Sequence, residues 1–248
     1  MENGRPLNRD MIKYLAAAAM LLNHVAIVFF EPGTALYRLF EYTGYFTAVT
    51  MCYFLVEGYE HTGSKKKYAK RLLLFAVISQ PPYMLAFEMG HTGQLNMLFT
   101  LFFCFLILYV QCDSMMSRTA KEMTTAFLVF VTMFSDWALF APVFTLLFLR
   151  GRRGGETDRR KTAEAFAAAA GMFAFYNFAS YYEVGMPAVE ALQTALLSSA
   201  GIMVSGLLIL KFYNGRRAAR GRTFSKWFFY IFYPGHITAL LLIRQFML

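Results

Sequence analysis

Apolar stretches recur along almost all of this 248-residue chain, broken only by short polar connections. They fall at 12–30, 38–58, 68–87, 95–112, 122–134, 137–149, 163–180, 188–210 and 226–247. Hydrophobic residues make up 58% of the chain and charged residues 16%, more apolar surface than one soluble core of this length can hide. The pattern predicts an all-α, polytopic helical membrane protein of about nine segments, with residues 1–248 as a single membrane domain. The first apolar run is long and no small-residue cleavage site follows it, so no cleavable signal is expected. Segments 122–134 and 137–149 are each about 13 residues, where a full crossing needs roughly 20, so two short helices or a re-entrant pair meeting at Ser135-Asp136 is expected there. A single helix through 122–149 would break the parity of crossings. No internal repeat is evident.

The net charge of +9 does not point to nucleic acid, because the basic residues gather in every second connection. They lie at Arg5, Arg9 and Lys13, at 65–71, at Arg118 and Lys121, at 150–161 and at 211–226. Of 24 basic residues, only Arg38 and Arg244 fall outside these groups. The connections near 31–36, 88–94, 135–136 and 181–187 carry none. By the positive-inside rule the N-terminus is cytoplasmic, nine crossings follow and the C-terminus is outside. Cys52, Cys104 and Cys112 are dispersed in or at the ends of apolar runs, which suggests packing residues rather than a disulfide or a metal site. No metal is expected.

Polar groups at bilayer depth are costly and therefore candidates for function. Asn23 and His24 lie in the first segment, Ser79 and Gln80 in the third before Pro81-Pro82, Asn96 and Thr100 at the start of the fourth. Asp136 marks a turn, His236 lies in the last segment, and Arg38 and Glu41 sit near the outer end of the second. Taken singly, each reads as interhelical glue. Spread over separate helices, they point to a polar cavity.

Lys13 and His24 are eleven residues apart, close to three helical turns, so they share a face roughly 16 Å apart along the axis. That suits a long substrate with an anionic head and a reactive tail, although Lys13 alone reads as a topological anchor. Glu57 and His61 are four apart, and a carboxylate beside a histidine orients the ring and raises its basicity, as a general base requires. Lys65, Lys66, Lys67, Lys70 and Arg71 follow at once. Such a cluster holds phosphates or faces anionic lipid equally well.

The run TAVTMCYFLVEGYEHTGSKKKYAKRLLLFAVISQPPY (47–83) resembles the TraX family of membrane proteins. So do Asn23-His24, LNMLFTL at 95–101 and FFYIFYPGH at 228–236, where that family carries a DH pair, an LN-x-x-FT segment and a terminal YP-x-H. TraX is known as the acetylase of F-type pilin. The resemblance therefore implies an integral-membrane O- or N-acyltransferase using acetyl-CoA, with an acceptor such as a pilin amino terminus, a cell-envelope saccharide or a small amine. Type 3 acyltransferases carry a basic residue, ten residues and a histidine in their first helix, and Lys13 to His24 is similar in spacing. On this resemblance His24 and His236 are expected to do the chemistry with Glu57 and His61 in support. Lys13, Lys65, Lys66, Lys67, Lys70 and Arg71 would hold the CoA phosphates. Asn23, Ser79, Gln80, Asn96, Thr100 and Asp136 would line the acceptor and oxyanion region. Three positions depart from the family pattern: Asn23 replaces an Asp, Tyr45 an Arg after Gly44, and Val49 a Pro. A transporter for a small polar solute and an inactive scaffold are the competing classes.

Overall fold

The computed structural model describes residues 5–87, 93–153 and 156–247. Most of the connection at 88–94 lies outside the described residues. The described residues are almost wholly helical: α1 Arg9–Phe29, α2 Ala35–Glu60, α3 Lys65–Ala86, α4 Met97–Cys112, α5 Arg118–Val131, α6 Phe140–Arg150, α7 Arg159–Glu183, α8 Ala188–Leu207 and α9 Arg222–Met247. The extended pieces Arg152–Arg153 and Glu156–Thr157 are two residues each. Among the described residues, three helices are long and apolar enough to cross a membrane: α1, α8 with its π-helical extension to Phe212, and α9. The chain is thus a helical membrane protein. Helices α2, α3 and α7 are of comparable length but carry more polar residues, and the apolar α4 and α6 span only 16 and 11 residues.

Side-chain caps set several helix starts by accepting orphan N–H groups. Asn8 accepts from Met11 N–H (3.0 Å), Ser64 from Lys67 N–H (3.3 Å) and Asp158 from Lys161 N–H (3.1 Å).

The helices pack as two compact units, and α2 runs through the division. The first holds residues 1–51 and 157–222. Its helices meet through small residues, as helices do in lipid, where close backbone approach replaces the hydrophobic drive. A Cβ on Gly201 of α8 would lie 2.6 Å from the Tyr42 carbonyl oxygen of α2, so only glycine fits there. Thr50 and Ser205 share a 2.7 Å hydroxyl contact nearby, and the Thr47 hydroxyl donates to the Ala16 carbonyl (2.8 Å). The N-terminal strap is tied down too: Leu7 pairs with Phe212 and Asn214, and the Asp10 carboxylate accepts from Ala218 N–H (3.0 Å).

The second unit holds residues 52–156 and 223–248. Its α4, α5 and α6 pack around Ile107, Val110, Leu128 and Leu146. The stretch expected to hold segments five and six is two helices, Arg118–Val131 and Phe140–Arg150, not one. A short 3-10 turn at Thr132–Phe134 and an extended Ser135 separate them. Trp137 and Leu139 then adopt positive φ (56° and 60°), which costs bulky residues free energy and marks a turn held by its surroundings. Arg244, one of two cations outside the basic connections, donates to the carbonyls of Leu85 (2.8 Å) and Ala86 (3.0 Å). It caps the negative end of α3.

Candidate functional site

The last turn of α2 carries the carboxylates and histidine singled out in the sequence, and the structure partners them differently. Glu57 does not orient His61 through its carboxylate. Arg152, from the segment after α6, takes that carboxylate (3.5 Å) and the Glu60 carboxylate (2.5 Å). A buried guanidinium competes for a carboxylate far better than a neutral imidazole does. Burial works against the Arg152 charge, but Tyr53, Glu60 and Glu57 outweigh it and hold the proton more firmly than on an ordinary arginine. His61 is instead held by its own helix: Nδ1 lies 2.9 Å from the Glu57 main-chain carbonyl. A carbonyl only accepts, so the neutral ring carries its proton on Nδ1 and its lone pair on Nε2.

Three lysines open α3, at the positive end of its dipole, with no acidic residue in that turn. Lys65 is engaged within the fold: its ammonium bridges both Asp113 oxygens at 2.6 Å and lies 4.6 Å over the Tyr59 ring. The Tyr59 hydroxyl donates to the same carboxylate. Burial pushes the Asp113 carboxyl up, but donors from Lys65 and Tyr59 outweigh it and hold it below its usual value of 3.8. A group depressed in the fold contributes stability that is present above its unfolded value and lost as pH falls through its folded one. The gap in thermal midpoint between the wild type and Asp113→Asn is therefore expected at pH 6 and closes as pH falls below 3.8. A gap that persisted unchanged to pH 3 would show that Asp113 acts by shape and not by charge. Lys66, Lys67 and Lys70 remain exposed. Arg71 lies 5.6 Å from the Tyr68 ring centre and 5.9 Å from that of Tyr230, and its buried Nε meets no acceptor among the described residues.

Deeper in the second unit, the expected polar residues form two hydrogen-bonded groups, Gln80 with Asn96 and Thr100 with Ser135 and the Asp136 main chain. Gln80 donates through its amide to the Gln94 carbonyl (2.8 Å), and its Oε1 accepts from Asn96 N–H (3.0 Å) and Nδ2 (2.8 Å). Asn96, fully buried, also donates to the Ala76 carbonyl (2.8 Å) and caps α4 by accepting from Leu98 N–H (3.0 Å). Both Asn96 amide protons thus have protein acceptors, so its observed role is to lock α3 beside its proline break onto the start of α4. Ser79 donates to Phe75 of its own helix (2.6 Å). Thr100 donates towards the Ser135 hydroxyl (2.9 Å) and the Asp136 carbonyl (2.6 Å), and Leu95 pairs with the turn at Phe134 and Asp136. The Asp136 carboxylate lies within electrostatic reach of the Tyr83 and Tyr233 hydroxyls. Tyr233 accepts from Met97 N–H (3.3 Å) and packs edge-on against His236, with ring centres 5.8 Å apart. His236 stacks on Phe232 (4.6 Å) and sets Nδ1 2.6 Å from the Phe232 carbonyl. This fixes the neutral ring in the tautomer whose Nε2 carries the lone pair. Tyr83 and Tyr233 were not singled out from the sequence, although each stands inside a quoted motif, ISQPPY and YPGH.

Lys13, Asn23 and His24 belong to the first unit. Lys13 is half-buried in the second turn of α1, and His24 is buried, 7% exposed. Asn23 packs so closely on Gly44 that a Cβ there would lie 2.3 Å from its own, and its amide donates to the Glu41 carbonyl (3.3 Å). The two departures Asn23 and Tyr45 thus sit around one point of α2. Tyr45 is a donor to the Glu41 carboxylate, as is Tyr37.

The TraX protein family profile matches residues 8–244. A relative from Dichelobacter nodosus, described as a probable fimbrial assembly protein FimC of serogroup H1, is 31% identical over 245 residues, covering 95% of each chain. No solved structure matches. With EG-x-x-HT closing α2, ISQ-P inside α3, LN-x-x-FT capping and opening α4 and YP-x-H in α9, the motifs and the profile agree, and the chain belongs to the TraX family.

Proposed function

We propose that this protein is a membrane-embedded acyltransferase that moves an acetyl group from cytoplasmic acetyl-CoA to an amine or hydroxyl acceptor at or across the bacterial inner membrane, in the service of fimbrial assembly. Nine crossings with a cytoplasmic N-terminus give the basic connections one common side. The observation that carries the donor half is the first turn of α3. Lysines at the positive end of a helix dipole oppose it, and a local rule broken without local gain is expected at functional sites. Lys65 is neutralised by Asp113, which leaves Lys66, Lys67, Lys70 and Arg71 to meet the CoA phosphates.

The acyl-pantetheine arm then reaches inward. A histidine, His24 or His236, takes a proton from the acceptor N–H or O–H as that atom attacks the thioester carbonyl. The new C–N or C–O bond forms, the C–S bond breaks, and the CoA sulfur leaves and takes up a proton. Amide donors such as Gln80 are candidates to meet the developing oxyanion, while Asn96 and Thr100 hold the frame around them.

Titration of acetyl-CoA into the detergent-purified protein at two salt concentrations tests this, with CoA and dephospho-CoA as comparators. Saturable, salt-sensitive binding is expected. Replacing Lys66, Lys67 and Lys70 with glutamine should weaken it on the order of ten- to hundred-fold, since each lost phosphate contact is partly screened by water. No binding at millimolar ligand would return the basic turn to lipid anchoring and favour a transporter or scaffold.

A further inference from the structure

A half-buried carboxylate inside the first unit has no role in the chemistry described so far. Glu41 lies in the second turn of α2, where a charge is costly in lipid. Among the described residues it makes no ion pair. Arg38, one turn earlier, is exposed and acts on it only at longer range. What surrounds Glu41 instead is aromatic. Tyr45 and Tyr37 donate hydroxyls to it, and Tyr42 stacks on Tyr45 with ring centres 5.9 Å apart and 29° between planes. Tyr181, near the end of α7, hydrogen-bonds Tyr42. Phe173 of the same helix packs edge-on against Tyr45, with ring centres 4.8 Å apart. Asn23, beside His24, fastens α1 to the Glu41 carbonyl (3.3 Å).

A carboxylate held by hydroxyl donors and in no ion pair among the described residues, with tyrosine rings beside it, is chemistry that recognises an organic ammonium ion. The carboxylate neutralises the cation, and the tyrosine rings beside it add a cation–π attraction. Neutral solutes gain from neither. Three elements converge on the cluster, and one of them carries His24 in the next position.

We propose that Glu41, with Tyr37, Tyr42, Tyr45 and Tyr181, forms a binding site for an organic ammonium group. The binding stands by itself; that the bound cation is part of the acceptor presented to His24 rests on the acyl-transfer function proposed above.

The test is a titration of choline into the detergent-purified full chain without CoA, followed by tyrosine difference absorbance. Its neutral isostere 3,3-dimethylbutan-1-ol is the comparator. Saturable choline binding at least ten-fold tighter than the isostere is expected, because charge alone separates the two. Glu41→Gln should weaken choline by about ten-fold or more and leave the isostere unchanged. Equal affinity of the two ligands, no saturable choline signal, or undiminished binding by Glu41→Gln would overturn the site. If Glu41→Gln does not fold, Tyr42→Leu replaces it, with the same expected loss for choline and the same overturning result. Acetyl-CoA titration of the same preparations keeps the two proposals apart. Choline binding without acetyl-CoA binding overturns the acyl-transfer function and leaves the ammonium site standing; the reverse result removes the site alone.

Discussion

Replacing Arg152 with methionine is expected to destabilise the protein by about 3–5 kcal/mol, the cost of stranding a buried charge when its partner is removed. Arg152 is 5% exposed and Glu57 6%, so water cannot substitute for the guanidinium. Removing it leaves two carboxylates one turn apart in α2, repelling each other and desolvated. Methionine matches much of the volume, so the loss reads as charge and hydrogen bonding rather than a cavity. Unfolding in mixed micelles, followed by the helical signal, measures it. The triple variant Arg152→Met, Glu57→Gln, Glu60→Gln should recover a large part of the loss, because no unpaired charge then remains. A loss below about 1 kcal/mol for the single change would mean that the three groups are solvated in the working protein, as exposed pairs are.

This cluster also shows where sequence reasoning stops. Apolar run length predicted segments at 12–30, 188–210 and 226–247, and the helices at Arg9–Phe29, Ala188–Phe212 and Arg222–Met247 follow closely, because burial in lipid acts through composition alone. The i, i+4 spacing of Glu57 and His61 was legible too, but not their partners. A residue 95 positions away decides where the Glu57 carboxylate points, and in the sequence Arg152 is one more basic residue of a basic connection. The same holds for Lys65, which counts as a phosphate ligand until Asp113 is seen to hold it. The break at 135–139 carries no glycine or asparagine to announce its positive φ values. Tertiary bonds from Leu95 and Thr100 impose it, and these are invisible to local propensity. Conversely, Gln80, Asn96, Thr100 and Asp136 stand out for the cost of burying polar groups, and the structure bonds Gln80 to Asn96 and Thr100 to the Asp136 carbonyl, which offsets part of it.

The second large effect is expected at His24. His24→Ala should lower acetyl transfer by about 10²–10⁴-fold, the usual contribution of a positioned general base, while acetyl-CoA affinity stays within about two-fold of the wild type. The split between the two readouts is the point. A residue that only packs α1 would lower the amount of folded protein and both activities together. His24 is buried, and the Asp that precedes it in the family pattern is Asn23 here, whose amide is engaged with the Glu41 carbonyl. No carboxylate at that position orients the imidazole, so Asn23→Asp is expected to raise transfer rather than lower it, by making the ring a stronger base. Added imidazole should partly restore the His24→Ala variant, since the cavity left is the shape of the missing ring. His236→Ala is the discriminating control. Its ring is already fixed by Phe232 and Tyr233 in the tautomer that presents a lone pair on Nε2. If His24→Ala keeps its transfer rate and His236→Ala loses it, the base lies in the second unit, within the network of Tyr233 and Asp136, and His24 is a packing residue. If both lose transfer with donor binding intact, transfer requires both histidines, and the pH dependence of each single variant shows which one carries the titrating group.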